Sequence, residues 1–192
     1  MLFRSNNLVA MMRALKGQGW GAGELLKEHD RYLAKDEPID WSQPVETLAR
    51  AIPLDWTDYN GHMNETHYLE VFSRASDRIM EMVGCDAEYI ATGGSYFTAE
   101  THIRHIDEVH AGARVRVLTQ ILVGEGKKFH IFHTLYHEDG RELATGEHFL
   151  LHVSLTTRKT SPPEEPVASM LATAMEGQSQ LPRPEGAGRA IG

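Results

Sequence analysis

Residues 56–68, with the sequence WTDYNGHMNETHY, carry the side chains of this 192-residue chain that are best suited to chemistry. Asp58 lies three residues before Gly61, in a setting that is mostly uncharged and aromatic. A carboxylate in such a loop can act as a nucleophile or as a general base. The competing interpretation is that Asp58 is a plain turn residue or helix cap.

The residues after Gly61 predict the start of a helix. Asn64 or Thr66 can cap this helix, and Glu65 suits the positive end of its dipole. The unpaired backbone N–H groups of the first turn would then face the loop, where they can stabilise a developing oxyanion. Asp58 and these amides together supply two parts of acyl-transfer chemistry.

The segments around this loop predict one long helix among several strands. A first strand is predicted over residues 45–52, and the helix ends at Gly84 after an apolar stripe with helical spacing. Alternating apolar residues predict four further strands, at residues 95–106, 113–123, 129–137 and 142–158. The pattern indicates an α+β fold, in which the helix is inserted after the first strand of an antiparallel meander.

Two appendages flank this domain, which we place at residues 45–160. Residues 1–44 are interpreted as a helical appendage and linker, in which the cluster GQGWGAG does not match the spacing of a phosphate-binding loop. Residues 161–192 are rich in Pro, Glu and Gly around the short helical segment VASMLATAME. We expect this tail to be an irregular or partner-clasping extension.

The bulk composition narrows the possible classes of function. A net charge of −8 argues against a nucleic-acid-binding surface, which needs a clustered basic face. No apolar run approaches the ~20 residues of a membrane helix, and the N-terminus lacks the cleavage site of a signal peptide. The single cysteine, Cys85, favours a reducing cytoplasm and is interpreted as a small buried hydrophobic residue.

Eleven histidines raise the question of a metal site. His133 and His137, like His148 and His152, are four residues apart, which is a metal-binding spacing on a helix. On a strand, however, four residues span ~13 Å, too far for two imidazoles to share a zinc ion. We therefore interpret them as strand-surface histidines and expect no metal. Ser95 likewise lacks the following glycine of a nucleophile elbow.

The order of elements and the motif Asp58-x-x-Gly61-His62-Met63-Asn64 resemble the hotdog-fold acyl-CoA thioesterases of the 4-hydroxybenzoyl-CoA thioesterase type. The resemblance covers roughly residues 46–158. It implies an antiparallel sheet of about five strands wrapped around one long central helix. It also implies that the reaction needs neither a metal nor a redox cofactor.

The same resemblance implies roles for individual residues. Asp58 corresponds to the catalytic carboxylate, and the backbone N–H near Glu65 corresponds to the group that polarises the thioester carbonyl. Gly61 would let the backbone approach the substrate. His62 and Asn64 either orient the loop or a water molecule, or are structural turn residues. The active sites would lie across the interface of a homodimer or of a dimer of dimers.

The flanking segments resemble a narrower group, the betainyl-CoA thioesterases of carnitine breakdown. These segments are DYNGHMNETHYLEVFSRASD, GGSYFTAETHIRHIDEV and LPRPEGAGR. In some bacteria such thioesterases are fused behind L-carnitine dehydrogenase, and the N-terminal residues here resemble the closing helices of that dehydrogenase. The chain has no Gly-x-Gly-x-x-Gly segment, so dehydrogenase activity is not carried over. Whether the chain is a stand-alone thioesterase or a fragment of the fusion stays open.

A betainyl group would bring a trimethylammonium into the site, and aromatic faces attract such a cation. The rings near the loop are Trp56, Tyr59, Tyr68, Tyr96 and Phe97. Each of them could instead pack in the core. Glu100 is either an ammonium-binding carboxylate or an exposed strand charge. Candidate cations for the CoA phosphates are Arg104, Arg114, Arg116, Lys127, Lys128 and Arg158.

Three other functions are left open by the sequence. The chain could hydrolyse another small or aromatic acyl-CoA. It could be a hotdog hydratase, although the histidine of that group follows its aspartate by five residues and His62 follows Asp58 by four. It could also be a non-catalytic module for acyl-CoA binding or dimerisation.

Overall fold

The computed structural model describes residues 38–189, so residues 1–37 of the predicted helical appendage and linker lie outside the described residues. Within the described range, a short 3₁₀ turn at Leu54–Trp56 precedes the first α-helix. The helices are α1 (Glu65–Met82), α2 (Ala87–Ala91) and α3 (Val167–Gly177). The strands are β1 (Val45–Ala51), β2 (Gly94–His105), β3 (Arg114–Glu125), β4 (Lys128–His137), β5 (Glu142–Ser154) and β6 (Lys159–Thr160).

Five long strands form one antiparallel sheet in the order β1-β3-β4-β5-β2, and β6 pairs with the end of β5. The predicted strand at 142–158 is too long by four residues. The chain turns after Ser154, where Arg158 has a left-handed φ of 58° and donates its N–H to the Ser154 carbonyl. The chain then returns as β6, a strand that the alternation pattern did not reveal.

The long helix α1 lies against the sheet, with Val71, Phe72, Ala75 and Ile79 fully buried. Gly146 in β5 permits this close approach, because a Cβ there would lie 2.7 Å from the Phe72 ring. The curled sheet around a long helix is the hotdog arrangement that the resemblance implies, and the predicted α+β fold is confirmed. Within the described residues, no helix is long and apolar enough to cross a membrane.

The C-terminal tail packs on the same domain. The predicted short helix is confirmed as α3, which buries Val167, Leu171 and Ala174 in the core cluster at the end of α1. Beyond α3, the side chain of Gln178 accepts a hydrogen bond from the Ile121 N–H and donates one to the Gln43 carbonyl. The remainder has no regular structure but stays on the sheet.

The last described residues form hydrogen bonds with side chains of β3 and β5. Gln120 donates to the Pro182 carbonyl at 3.2 Å. The Gly188 N–H donates to both carboxylate oxygens of Glu147, at 3.0 and 2.8 Å. The C-terminal tail, which was expected to be irregular or to clasp a partner, therefore packs on the sheet of its own chain.

The interpretation of the paired histidines as surface residues is wrong for three of the four. His133, His148 and His152 are at most 2% exposed. His133 and His148 lie against Phe72 of α1, and His152 lies against Tyr89 of α2. His133 hydrogen-bonds Ser76 of α1 at 2.9 Å and Thr119 of β3 at 2.8 Å. Such partners make a buried ring tolerable. His148 has one of them, the Thr101 hydroxyl at 3.3 Å, while its Nε2 has none among the described residues. Cys85 is buried as expected, and burial raises the pKa of its thiol to about 11.

Burial of this histidine pair predicts a loss of stability in acid. Burial lowers the pKa of His148 to about 4, and burial together with His148 lowers the pKa of His133 well below its usual 6.5. Below about pH 6.5, these two imidazoles therefore bind protons in the unfolded chain but stay neutral in the folded chain. The free energy of unfolding should fall from about pH 6.5 to pH 4, by about 3 kcal/mol for His148 alone.

Urea unfolding between about pH 7 and pH 4.5 measures this dependence. Carboxylates also titrate in acid, so the matched variant His148→Gln isolates the imidazole. We expect a shallower fall of the unfolding free energy with pH in His148→Gln than in the wild type. If the unfolding free energy falls equally steeply with pH in both proteins, the fold does not keep the His148 ring neutral.

Candidate active site

The loop between β1 and α1 is a tight turn closed by its own backbone. The Asp58 N–H donates to the His62 carbonyl at 2.9 Å, and the Gly61 N–H donates to the Asp58 carbonyl at 3.0 Å. Gly61 adopts a φ of 80°, a left-handed conformation that suits glycine. The Asp58 backbone is therefore fixed relative to the residues that begin the helix.

One oxygen of the Asp58 carboxylate accepts hydrogen bonds from the loop, and the other does not. Its Oδ1 accepts hydrogen bonds from the N–H groups of Asn60, at 2.8 Å, and His62, at 3.3 Å. Within residues 38–189, its Oδ2 has no hydrogen-bond partner. The half-buried side chain is thus oriented by the loop while one oxygen remains available to a substrate or a water molecule.

Asn64 is the N-cap of α1, as the sequence predicts for either Asn64 or Thr66. Its side-chain oxygen accepts hydrogen bonds from the N–H of Thr66 at 3.0 Å and from its hydroxyl at 2.8 Å. Its own N–H donates to the Trp56 carbonyl at 2.8 Å, which anchors the helix start to the 3₁₀ turn. This geometry is that of a structural cap.

The next N–H, that of Glu65, has no acceptor among the described residues. It belongs to the first residue of α1 and therefore lies at the positive end of the helix dipole. A donor of this kind can stabilise negative charge that develops on a carbonyl oxygen. The loop thus combines an available carboxylate oxygen with an available backbone donor, seven residues apart in the chain.

The His62 side chain points away from Asp58, towards the segment that follows β2. His62 and His110 form an isolated antiparallel bridge, and their ring centroids are 4.5 Å apart. The Nε2 of His62 is 3.3 Å from a Glu108 carboxylate oxygen. His62 reaches Asp58 only through its backbone, so its contacts support the shape of the loop.

Trp56 is enclosed by two side chains that sequence reasoning missed. The Arg50 guanidinium lies 3.9 Å from the centroid of the indole ring, and the His67 imidazole stacks on it at 4.5 Å and 3°. One indole face cannot hold both groups at these distances, so they cover opposite faces. No face of Trp56 is then free for a ligand in this arrangement. No spacing in the sequence links these three residues, which lie on β1, the 3₁₀ turn and α1.

The other predicted binding rings divide between core and surface. Tyr68 is buried in the same core cluster as Trp56, with its ring 4.6 Å from His105, and burial raises its pKa. Tyr96 is buried in the other core cluster, where its hydroxyl has no hydrogen-bond partner in the part of the chain that the structure describes. Tyr59, on the loop, is 97% exposed, and Phe97 is 45% exposed.

Two predicted site residues lie away from the loop within one protomer. Phe97 and Glu100 are exposed on β2, the edge strand of the sheet. The Arg158 guanidinium lies 5.9 Å from the Phe97 ring. The structure therefore brings together Asp58, Gly61, Asn64 and Glu65, and leaves the β2 residues on a separate surface.

Comparison with known proteins identifies the family. The family model described as the thioesterase-like superfamily matches residues 52–171, which include the loop, α1 and the whole sheet except β1. The chain is 42% identical to a betainyl-CoA thioesterase of Pseudomonas aeruginosa, over 79% of this chain and 96% of that protein.

A bifunctional relative is more similar in sequence but much longer. The chain is 60% identical to the L-carnitine dehydrogenase/betainyl-CoA thioesterase of Ruegeria pomeroyi, over 98% of this chain. It spans only 39% of the length of that protein.

The fold also matches solved structures. A hypothetical protein of Staphylococcus aureus, solved in complex with CoA, aligns with a TM-score of 0.72 and 23% identity over 82% of this chain and 99% of that one. This likeness concerns the fold. Together with the sequence matches, it places the chain in the thioesterase-like superfamily, as a hotdog-fold protein similar to betainyl-CoA thioesterases.

Proposed function

We propose that the chain hydrolyses the thioester bond of an acyl-CoA at the loop formed by residues 58–65. One observation carries the proposal. Among residues 38–189, one carboxylate oxygen of Asp58 and the Glu65 N–H at the start of α1 have no hydrogen-bond partner, and both belong to the same loop. A nucleophile or base beside a preorganised donor is the combination that acyl transfer needs.

The reaction begins with the thioester carbonyl oxygen accepting a hydrogen bond from the Glu65 N–H. Asp58 then either attacks the carbonyl carbon or removes a proton from a water molecule that attacks it. The C–S bond breaks, and CoA leaves as a thiolate that takes up a proton. In the first route a water molecule cleaves the mixed anhydride and restores the Asp58 carboxylate. Both routes yield one carboxylic acid and one CoA thiol.

Betainyl-CoA is the substrate we propose, with betaine and CoA as products in carnitine degradation. The support comes from the names of the relatives from Pseudomonas aeruginosa and Ruegeria pomeroyi. A net charge of −8 also suits a cationic acyl group. With both faces of Trp56 covered, the exposed rings of Tyr59 and Phe97 are the accessible aromatic surfaces for the trimethylammonium.

Comparison of betainyl-CoA with tert-butylacetyl-CoA tests this choice. The two acyl groups have the same shape, and only the former is charged. One desolvated cation–π contact is worth up to about 2 kcal/mol, so kcat/KM should favour betainyl-CoA by about 30-fold. Phe97→Leu should reduce that preference without slowing the neutral substrate. An equal or higher kcat/KM for tert-butylacetyl-CoA would remove the betainyl assignment and leave the thioesterase class intact.

The proposed assembly is a homodimer, or a dimer of dimers, formed along β2. This strand ends the sheet, no described strand pairs with its outer edge, and residues 97–101 are exposed along it. A partner there would bring Phe97 and Glu100 towards a second copy of the loop. A monomer mass by light scattering would contradict this assembly.

We also propose a cytoplasmic location, because the chain has one cysteine and it is buried and free.

A further inference from the structure

The chain that follows β2 is paired with the catalytic loop. The Met63 N–H donates to the Val109 carbonyl at 2.8 Å, and His62 and His110 are opposite each other in an antiparallel bridge. Met63 and Val109 are buried, at 4% and 2% exposure. Their neighbours therefore point outward, since side chains alternate along extended chain.

This alternation places three ligating side chains on one outward face. Opposed residues of an antiparallel pair have side chains on the same side, which brings His62 beside His110. Glu108 is two residues before His110 and so shares its side of the chain. Each of the three offers one ligand atom, and these atoms all lie within 4.8 Å of one another.

The distances are close to those that a metal ion requires. Zinc ligands at about 2.0–2.2 Å in a tetrahedral site are roughly 3.4 Å apart. The His62 Nε2 and the Glu108 carboxylate oxygen are already 3.3 Å apart. Glu108 and His110 are exposed, so their side chains can close the remaining gap at small cost.

A second observation concerns the orientation of His110. Its Nδ1 lies 3.1 Å from the Gly61 carbonyl oxygen, a partner that can only accept a hydrogen bond. A neutral His110 that donates from Nδ1 keeps an unprotonated Nε2. Support of this kind, from a backbone carbonyl to the non-ligating nitrogen, is the usual arrangement for a metal-binding histidine.

We propose that His62, Glu108 and His110 bind one divalent transition-metal ion, with Zn²⁺ preferred. Two imidazoles and one carboxylate suit zinc, whereas Mg²⁺ and Ca²⁺ prefer oxygen ligands only. The ion ties the turn that carries Asp58 to the chain after β2, because His62 hydrogen-bonds Asp58 through its backbone. Its role is to brace the loop, and the proposed hydrolysis does not pass through it. This departs from the expectation of no metal, which rested on the resemblance to the thioesterases and on histidines four residues apart on single strands.

Calorimetric titration of the untagged full chain with ZnCl₂ tests the site. We expect one saturable ion per protomer, a higher unfolding temperature with Zn²⁺ and no effect of Mg²⁺. His110→Ala and Glu108→Gln should each weaken Zn²⁺ affinity at least about tenfold, since loss of even a supporting contact commonly costs that much. Co²⁺ bound in place of zinc should give visible absorption that His110→Ala abolishes.

His137→Ala is the matched control. His137 also has a carboxylate neighbour, with its Nδ1 3.0 Å from Asp139, but no third ligand belongs to that pair among the described residues. The control should bind Zn²⁺ as tightly as the wild type. Unchanged Zn²⁺ affinity in His110→Ala and Glu108→Gln would overturn the proposal, as would a wild type that binds no Zn²⁺.

Discussion

Asp58→Asn should lower the rate of thioester hydrolysis by about 1,000-fold and leave the fold unchanged. Asparagine has nearly the same shape, and its oxygen can still accept the hydrogen bonds that Asn60 and His62 donate to Oδ1. It lacks the negative charge that either a nucleophile or a general base requires, and loss of general-base catalysis alone costs 10²–10⁴-fold. Single-turnover release of CoA, followed with a thiol-reactive dye, measures the effect.

The matched control is Asp55→Asn, which removes an exposed carboxylate from the neighbouring 3₁₀ turn. This variant should hydrolyse the substrate at the wild-type rate. A single turnover in heavy-oxygen water then tests the nucleophilic route for Asp58. Label in the Asp58 carboxylate identifies a nucleophile whose anhydride water cleaves at the Asp58 carbon, because a general base gains no label.

Glu65→Pro should lower kcat by about 10²–10³-fold, the usual cost of losing one oxyanion donor. Proline removes the Glu65 N–H together with the side-chain carboxylate. Glu65 is the first residue of α1, where proline is well tolerated because the N–H has no partner within the helix. Asn64 has φ −62° and ψ 143°, a conformation that residues before proline favour. The unfolding free energy should therefore change by no more than about 1 kcal/mol.

Glu65→Ala is the control for the charge of the side chain. It retains the N–H and loses only the carboxylate at the positive end of the helix, so its kcat should stay within a few-fold of the wild type. If Glu65→Pro is folded and as active as Glu65→Ala, the backbone donor at the start of α1 has no part in catalysis.

The sequence was a good guide where one local rule determines the structure. The first strand and the long helix are confirmed, and of the two predicted N-cap residues, Asn64 and Thr66, the structure uses Asn64. β5 was predicted too long because the residues after Ser154 continue the alternation, while the chain turns at residues 155–158, where Arg158 is left-handed and donates to the Ser154 carbonyl.

Contacts between distant segments could not be predicted in this way. The enclosure of Trp56 by Arg50 and His67, and the pairing of His62 with His110, join elements that the sequence separates. These contacts form because the sheet curls around α1 and brings separated segments together. The spacing of residues in the sequence does not predict that curl. The buried histidines show the same limit, because a polar ring is tolerated inside only when distant partners such as Ser76 accept or donate a hydrogen bond.

Steady-state CoA release by the wild type and Asp58→Asn, measured side by side on a panel of acyl-CoA substrates, tests the proposed active site most directly. The panel contains betainyl-, acetyl-, short-chain and aromatic acyl-CoA. We expect the wild type to hydrolyse at least one of them, betainyl-CoA fastest, and Asp58→Asn to lose that activity. Wild-type rates indistinguishable from those of Asp58→Asn on every substrate would contradict a thioesterase and favour a module that only binds acyl-CoA or dimerises.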